Sequence, residues 1–441
     1  MNHLLNNGQP FKVGATVGHA GAYIGSGTQG EVYHATVDGQ AVALKWYFPQ
    51  MATAGQRVIL EDLISVPPPD DTFLWPLGLA EADGVRGFGY LMPLRPPRYK
   101  GIEDLMMCRV SPSFRALATA GFNLSNSFLN LHARGLCYRD LSFGNIFFDP
   151  ATGDVLICDN DNVAVNVAGQ EAGVLGTPRF MAPEIVRREA RPNTDTDLFS
   201  LGVLLFYMFM IHHPLEGARE TRIHSFDLAA MRSLYGTRPL FIFHPEDASN
   251  RPVQGEQDNP LVFWPIYPQF IRDLFVQHFT DGVDDCAARV RESQWRSAMV
   301  RLRDAIFYCD NCGAENFYDE AHIKATGGKT GTCWHCKHHL RLPPRMRFED
   351  RHAVMLNRDT QLYPFHLRRG EDVPYDFSEK VAEVTCHPQN PDVWGLTNLS
   401  GVPWVVSTPE GEKRAVPPGR SARLVSRTRF NFGGTEAELR L

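Results

Sequence analysis

Residues 138–145 read Tyr-Arg-Asp-Leu-Ser-Phe-Gly-Asn, and Asp159 follows Asn145 by fourteen residues, at the end of an apolar run. The spacing of Asp140 and Asn145 matches the pattern H-R-D-L-x-x-x-N. A carboxylate at Asp140 can accept the proton of a hydroxyl, and the Asn145 amide oxygen can face a cation such as Mg²⁺. Asp159 supplies the charged oxygen ligand that a hard cation bridging phosphates needs. A turn merely rich in Asp and Asn is the plain alternative for Asp159-Asn160-Asp161. Its position relative to Asn145 favours the metal-ligand reading.

A glycine run lies upstream, Gly25-Ser26-Gly27-Thr28-Gln29-Gly30-Glu31-Val32. Glycine lets backbone N–H groups approach phosphate oxygens without a Cβ clash. The run leads into a strand, whereas a dinucleotide fingerprint leads into a helix. Val42-Ala43-Leu44-Lys45 follows, across an Asp38-Gly39 turn that signals a hairpin. A lysine ending an apolar strand suits a cation held against phosphates. Glu61, on a helix expected over 54–65, is its natural ion-pair partner, with Asp62 as the rival.

The chain has 441 residues, 43% of them hydrophobic, and a net charge of −6. These values fit a soluble protein of several domains and give no basic footprint for nucleic acid. The N-terminus lacks the pattern of a signal peptide. The longest apolar run, Leu201 to Ile211, is shorter than the roughly 20 residues a bilayer span needs. Helical spacing recurs at 113–135, 198–211, 267–279 and 291–307, while 235–261 reads as a long loop. Four of nine cysteines form Cys309-x2-Cys312-x20-Cys333-x2-Cys336, two knuckles suited to one structural Zn²⁺ with no open position. His335, His338 and His339 are expected to face solvent. Reduced cysteines around a metal imply the cytoplasm. Beyond 346, short β-type runs (VAEVTC, VWGL, PWVVS, ARLVS, AELRL) indicate an all-β domain.

Gly176-Thr177-Pro178-Arg179-Phe180-Met181-Ala182-Pro183-Glu184 and Asp197-Leu198-Phe199-Ser200-Leu201-Gly202 complete an ordered series. From about residue 10 to 306 the chain resembles a eukaryotic-type Ser/Thr protein kinase. The resemblance implies an α+β chain: a bilobal kinase fold at 10–306 (N-lobe 10–93, C-lobe 94–306), a zinc ribbon at 307–343 and an all-β domain at 346–441. It implies ATP and Mg²⁺ as cofactors and a protein substrate. Gly25, Gly27, Gly30 and Val32 would cover the nucleotide, with Met92 as gatekeeper and Pro93 and Leu94 in the hinge. Lys45 would pair with Glu61, Asp140 would be the catalytic base, and Asn145 and Asp159 would hold Mg²⁺. Glu184 would pair with Arg291, and Asp197 would hold the catalytic-loop backbone.

This sequence departs from the family at Tyr138, which replaces a histidine, and at Ser142, where Ser/Thr kinases usually carry a lysine. Asn160-Asp161 stands where Phe-Gly is usual, and Asp161 is expected to cap a turn or add a metal carboxylate. Thr177 is the only hydroxyl residue between Asp159 and Glu184. Activation by loop phosphorylation is therefore not expected, with Glu171 pairing with Arg139 instead. The all-β region is similar to the second half of a forkhead-associated (FHA) sandwich, without its phosphothreonine-reading elements. The whole layout resembles bacterial kinases of tellurium-resistance-associated triads, which implies a von Willebrand factor A-type protein and a PPM-type phosphatase as partners. A catalytically weak or dead scaffold of the same fold is the competing expectation.

Overall fold

The computed structural model describes residues 3–165, 176–349, 352–367, 374–387 and 389–441. The chain divides into two units, Met1–Trp264 with Asp273–Ser297, and Pro265–Arg272 with Ala298–Leu441.

The first unit begins with an antiparallel sheet in the order β1-β2-β3-β4-β6-β5. Its strands are β1 (Pro10–Val13), β2 (Thr16–Ser26), β3 (Gly30–Val37), β4 (Gln40–Tyr47), β5 (Gly78–Ala80) and β6 (Gly89–Pro93). The β3–β4 turn uses Asp38 and Gly39, both at positive φ (50° and 76°), the backbone of a tight right-twisted hairpin. Alternation along β4 sends Leu44 and Trp46 to one apolar cluster with Tyr33 and Leu91, and Ala43 and Tyr47 to another with Tyr90 and Met92. Helix α1 (Ala54–Ser65) covers the second cluster with Leu60. Thr53 caps it by accepting from the Gln56 N–H. The expected 54–65 helix is thus present.

The rest of this unit is mainly helical. It contains β7 (Lys100–Gly101), α2 (Ile102–Met106), α3 (Phe114–Ala133), β8 (Leu136–Cys137), β9 (Ile146–Phe148), β10 (Val155–Ile157) and β11 (Ala164–Val165). Helices α4 (Pro183–Arg187) and α5 (Thr194–Met210) follow. Helix α5 is buried on every face from Thr196 onward, as an all-round apolar helix must be. Asn193 and Thr196 cap it reciprocally. Among the described residues no helix is long and apolar enough to cross a membrane. The 235–261 stretch is more ordered than its Pro/Asn-rich composition suggests. Buried Asn250 donates to the carbonyls of Leu215 (2.9 Å) and Leu240 (2.6 Å) and accepts from the Arg219 N–H (3.0 Å). A helix at Asp258–Phe263 ends the stretch.

In the second unit, β12 (Ile306–Tyr308) pairs with β13 (Glu315–Phe317). Then come β14 (Arg345–Phe348), β15 (Ala353–Met355), β16 (Gln361–Leu362), β17 (Ala382–His387), β18 (Asn390–Asn398) and β19 (Trp404–Ser407). The last strands are β20 (Lys413–Val416), β21 (Ser421–Arg423), β22 (Arg429–Asn431) and β23 (Glu436–Arg440). They form a six-stranded sheet, β15-β14-β23-β22-β19-β20, and a four-stranded sheet, β16-β17-β18-β21. Residues of both sheets, among them Met346, Leu396, Trp404 and Phe430, make one core. Cys309 and Cys333 share a smaller cluster with Ala353 and Met355. The cysteine region and the β-rich region, read from sequence as separate, therefore pack as parts of one unit.

Candidate active site and four-cysteine centre

Strand pairing fixes the floor of the site. β8 pairs with β11, and β9 pairs with β10, so 138–145 and 159–163 leave neighbouring strand ends together. Asp197 accepts from the N–H groups of Tyr138 (2.5 Å) and Arg139 (2.9 Å), as expected for a residue that holds this loop. His132 bridges Asp197 (3.2 Å from Nε2) and Glu292, which its Nδ1 contacts. Burial alone would pull this imidazole down, but the two carboxylates outweigh it and push it up to about 9.

Asp140 is half-buried, and its Oδ1 accepts from Thr177 Oγ1 at 3.0 Å. Burial raises its pKa, opposed by that hydrogen bond and by the charge of Lys45. Asn145 is buried and donates from Nδ2 to the Asp140 carbonyl at 2.7 Å. Its Oδ1 is thereby oriented as the acceptor atom. Asp159 has φ 50°, an uncommon left-handed backbone for a non-glycine residue that often marks functional turns. These oxygens suit a hard cation. Glu171 lies outside the described residues.

Val32 and Leu94 pack partly buried against the cluster of Ala43, Tyr90 and Met92, an apolar seat beside Lys45. A Cβ on Gly30 would meet the Trp46 carbonyl at 2.2 Å, whereas Cβ atoms on Gly25 and Gly27 would meet nothing within 4 Å. Gly30 is thus required by close strand packing. Gly25 and Gly27 carry no such packing requirement.

The expected Lys45–Glu61 pair is not formed. Glu61 is exposed on α1, as is its rival Asp62. Buried Lys45 lies 2.9 Å from Asp161 Oδ2 and 3.3 Å from Asp159 Oδ1. The inner face of α1 presents Leu60 and Leu63, together with Gln56 one turn earlier. Gln56 Nε2 donates to the Asp161 carbonyl (3.1 Å) and to Tyr47 Oη (3.2 Å). Tyr47 Oη in turn donates to Asp161 Oδ2. Asp161 therefore neither merely caps a turn nor stands free as a second metal carboxylate. Burial favours neutral Lys45, but Asp161 and Asp159 outweigh it and raise the pKa above the usual lysine range.

A second expected pair also changes partner. Arg289, not exposed Arg291, forks onto Glu184 with two 2.8 Å bonds and gives a third of 2.8 Å to the Asp195 carbonyl. The two arginines lie two residues apart on an irregular segment, so spacing could not choose between them. The polar replacements Tyr138 and Asn160 both find acceptors for their donors, while Asn160 Oδ1 is buried without a hydrogen-bond partner among the described residues. Tyr138 Oη donates to the Cys158 carbonyl, and Asn160 Nδ2 donates to the carbonyls of Leu74 (3.0 Å) and Ile157 (2.9 Å). Sequence reasoning missed Gln56, Tyr47 and Arg289. Only the helical spacing of Gln56 with Leu60 and Leu63 carried a signal.

The four cysteine sulfurs all lie within 4.8 Å of one another. Cys309 and Cys336 are 3.7 Å apart, and Cys312 and Cys333 3.8 Å. Disulfide sulfurs would sit at about 2.05 Å. A tetrahedron with Zn–S bonds of about 2.3 Å has edges near 3.8 Å, so the cluster is compatible with Zn²⁺. Asn311 and Asn316 donate to the sulfurs of Cys336 and Cys333, each at 3.6 Å. The Asn311 bond is the main cause holding the Cys336 thiol down to about 6. His335, His338 and His339 are exposed and outside the cluster, as expected.

Comparison with known proteins agrees with this geometry. Residues 114–258 match the model of the protein kinase domain, a span that holds Asp140, Asn145, Asp159 and the 176–184 segment. The chain is similar to serine/threonine-protein kinase SRK2D of Arabidopsis thaliana, 34% identical over 93 residues, covering 21% of this chain and 26% of that protein. It is also similar to CBL-interacting serine/threonine-protein kinase 15 of Arabidopsis thaliana, 33% identical over 97 residues, 21% of this chain and 23% of that protein. Protein kinase C-like 2 of Schizosaccharomyces pombe is 33% identical over 122 residues, 26% of this chain and 11% of that protein. The chain spans between 11% and 32% of the length of such curated relatives. Residues 114–258 are thus similar to the protein kinase domain, and the similar curated proteins include Ser/Thr kinases.

Proposed function

We propose that this chain is an ATP-dependent protein serine/threonine kinase whose domain extends over 10–306. The observation that carries the reading is the set Asp140, Asn145 and Asp159 at two adjacent strand ends, with Asp140 bonded to Thr177 at 3.0 Å. Asp140 accepts the proton of the substrate hydroxyl. Thr177 orients that carboxylate, and the segment after it builds the wall along which a peptide lies. Lys45 engages the α/β-phosphates of ATP, while Asn145 and Asp159 hold Mg²⁺. Gly25 and Gly27 close over the phosphates, and Val32, Met92 and Leu94 line the base pocket. Mg²⁺ bound there would neutralise charge on the transferring phosphoryl group. Lacking a lysine at Ser142, the site leans on Lys45 and the metal for that neutralisation.

The four cysteines form a structural zinc ribbon, 307–343. The 346–441 region is an FHA-like sandwich, supported by the six-stranded and four-stranded sheet pair. The layout supports a bacterial cytoplasmic signalling role beside a von Willebrand factor A-type protein and a PPM-type phosphatase, as in tellurium-resistance-associated systems. The test is incubation with Mg²⁺-ATP and candidate protein substrates, followed by phosphosite mapping. Phosphoserine or phosphothreonine that vanishes in Asp140→Ala is expected. Absence of both nucleotide binding and transfer in wild type would refute the reading and favour a scaffold.

A further inference from the structure

We infer that Asp161 is the positioning carboxylate of Lys45, so that the lysine is set by the Asp159–Asn162 turn and not by an acidic residue of helix α1. The inference rests on the kinase reading and deepens it.

Asp161 is 1% exposed and Lys45 3%. Lys45 Nζ donates to both oxygens of Asp161, at 3.1 and 2.9 Å. A buried ammonium left unpaired would be costly, so this charge must be matched nearby. Helix α1 provides no match, since its acids point to solvent and the side chain facing the pair is the neutral Gln56. Gln56 instead contacts Tyr47 and the Asp161 backbone, while Tyr47 donates to Asp161 Oδ2.

Every residue of the turn is tied down by its side chain or backbone. Asp159 meets Lys45 at 3.3 Å. Asn160 donates to the Leu74 and Ile157 carbonyls. Asn162 Oδ1 accepts from Gln29 Nε2 at 3.0 Å, and Gln29 Oε1 accepts from Lys45 at 3.2 Å. The turn, the lysine and the glycine loop thus form one polar network. Asp159 is free to leave Lys45 for a cation, because Asp161 still neutralises the ammonium. The site is consequently assembled without a helix movement delivering an acid. That agrees with a loop whose only hydroxyl is Thr177.

The test compares Asp161→Asn, Tyr47→Phe, Glu61→Gln and the double variant Asp161→Asn/Gln56→Glu in the full chain, by steady-state kinetics with Mg²⁺-ATP and a protein substrate. Misplacing one reactive group can cost on the order of 10²-fold. Asp161→Asn is expected to lose about that much in kcat/KM for ATP, with KM for ATP raised and KM for the protein substrate unchanged. A purely structural lesion would lower the active fraction and leave both KM values alone. Gln56→Glu returns a carboxylate to the facing helix and is expected to recover most of the loss. Glu61→Gln is expected to behave as wild type. If Asp161→Asn does not fold, Tyr47→Phe decides: it should raise KM for ATP while Glu61→Gln does not. Near wild-type kinetics in Asp161→Asn, no rescue by Gln56→Glu, or a defect in Glu61→Gln at least as large as that of Tyr47→Phe overturns the inference. Active wild type with an active Asp161→Asn refutes this inference alone; inert wild type refutes the kinase reading with it.

Discussion

Two polar centres in this molecule balance charge in opposite ways. Around Lys45 the chain supplies both signs, with the ammonium held by Asp161 and Asp159 and the residual donors and acceptors taken up by Tyr47, Gln56 and Gln29. At the cysteine cluster it supplies four thiols and the amide donors of Asn311 and Asn316. The first centre is complete as folded and can be probed one side chain at a time. At the second, the proposed Zn²⁺ would offset the mutual repulsion of its thiolates. A self-satisfied network tolerates graded damage, whereas a metal centre fails as a whole.

The largest effect is therefore expected at the cysteines. Structural zinc contributes an apparent 10–16 kcal/mol or about that in small zinc domains. Cys312→Ser, or chelation, should abolish stoichiometric zinc and unfold the 307–343 region, seen by metal analysis and by proteolysis there. Retained zinc with a full complement of resistance would equate the two centres. Next in size, Asp140→Asn should lower kcat by about 10²–10⁴-fold, the usual contribution of a positioned base. Circular dichroism should show the fold intact.

Arg289→Met breaks a buried fork and should cost about 3–5 kcal/mol in urea unfolding. Arg291→Met should stay within about 0.5 kcal/mol of wild type. The opposite order would restore the pairing that the sequence suggests. The His132 bridge predicts pH dependence of similar or smaller size. Its pKa is raised to about 9 from the ordinary imidazole value of about 6.5, so its stabilisation is full below about pH 6.5 and is lost as pH rises through 9. The shift corresponds to about 3 kcal/mol. His132→Gln should flatten the fall in Tm across that window. Apart from the Arg291→Met control, the smallest effect is expected for Gln56→Ala, about 0.5–1.5 kcal/mol for a hydrogen-bonding side chain beside the network.

Much of the fold was legible locally. Helix α1 matched its apolar spacing, and the runs VAEVTC, VWGL, PWVVS and AELRL lie in or overlap strands β17, β18, β19 and β23. Strands β14, β15, β16, β20 and β22, each two to four residues long, were not read. The 235–261 stretch carried turn composition, yet Asn250 organises it through two bonds to distant backbone at Leu215 and Arg219 and one to Leu240 within the stretch.

By itself the sequence determined the groups whose partners are near in the chain or whose chemistry admits one arrangement. The paired C-x2-C knuckles, the Asp140–Asn145 spacing and the Gly-rich hairpin are of this kind. Only the tertiary structure decided which acid meets Lys45 and which arginine meets Glu184. Asp161 is 116 residues from Lys45, and Arg289 is 105 from Glu184. At such separations several acids and several arginines satisfy any spacing rule. The choice falls to burial: a carboxylate that cannot reach water must find its cation, whereas Glu61 and Arg291 keep theirs in solvent at little cost.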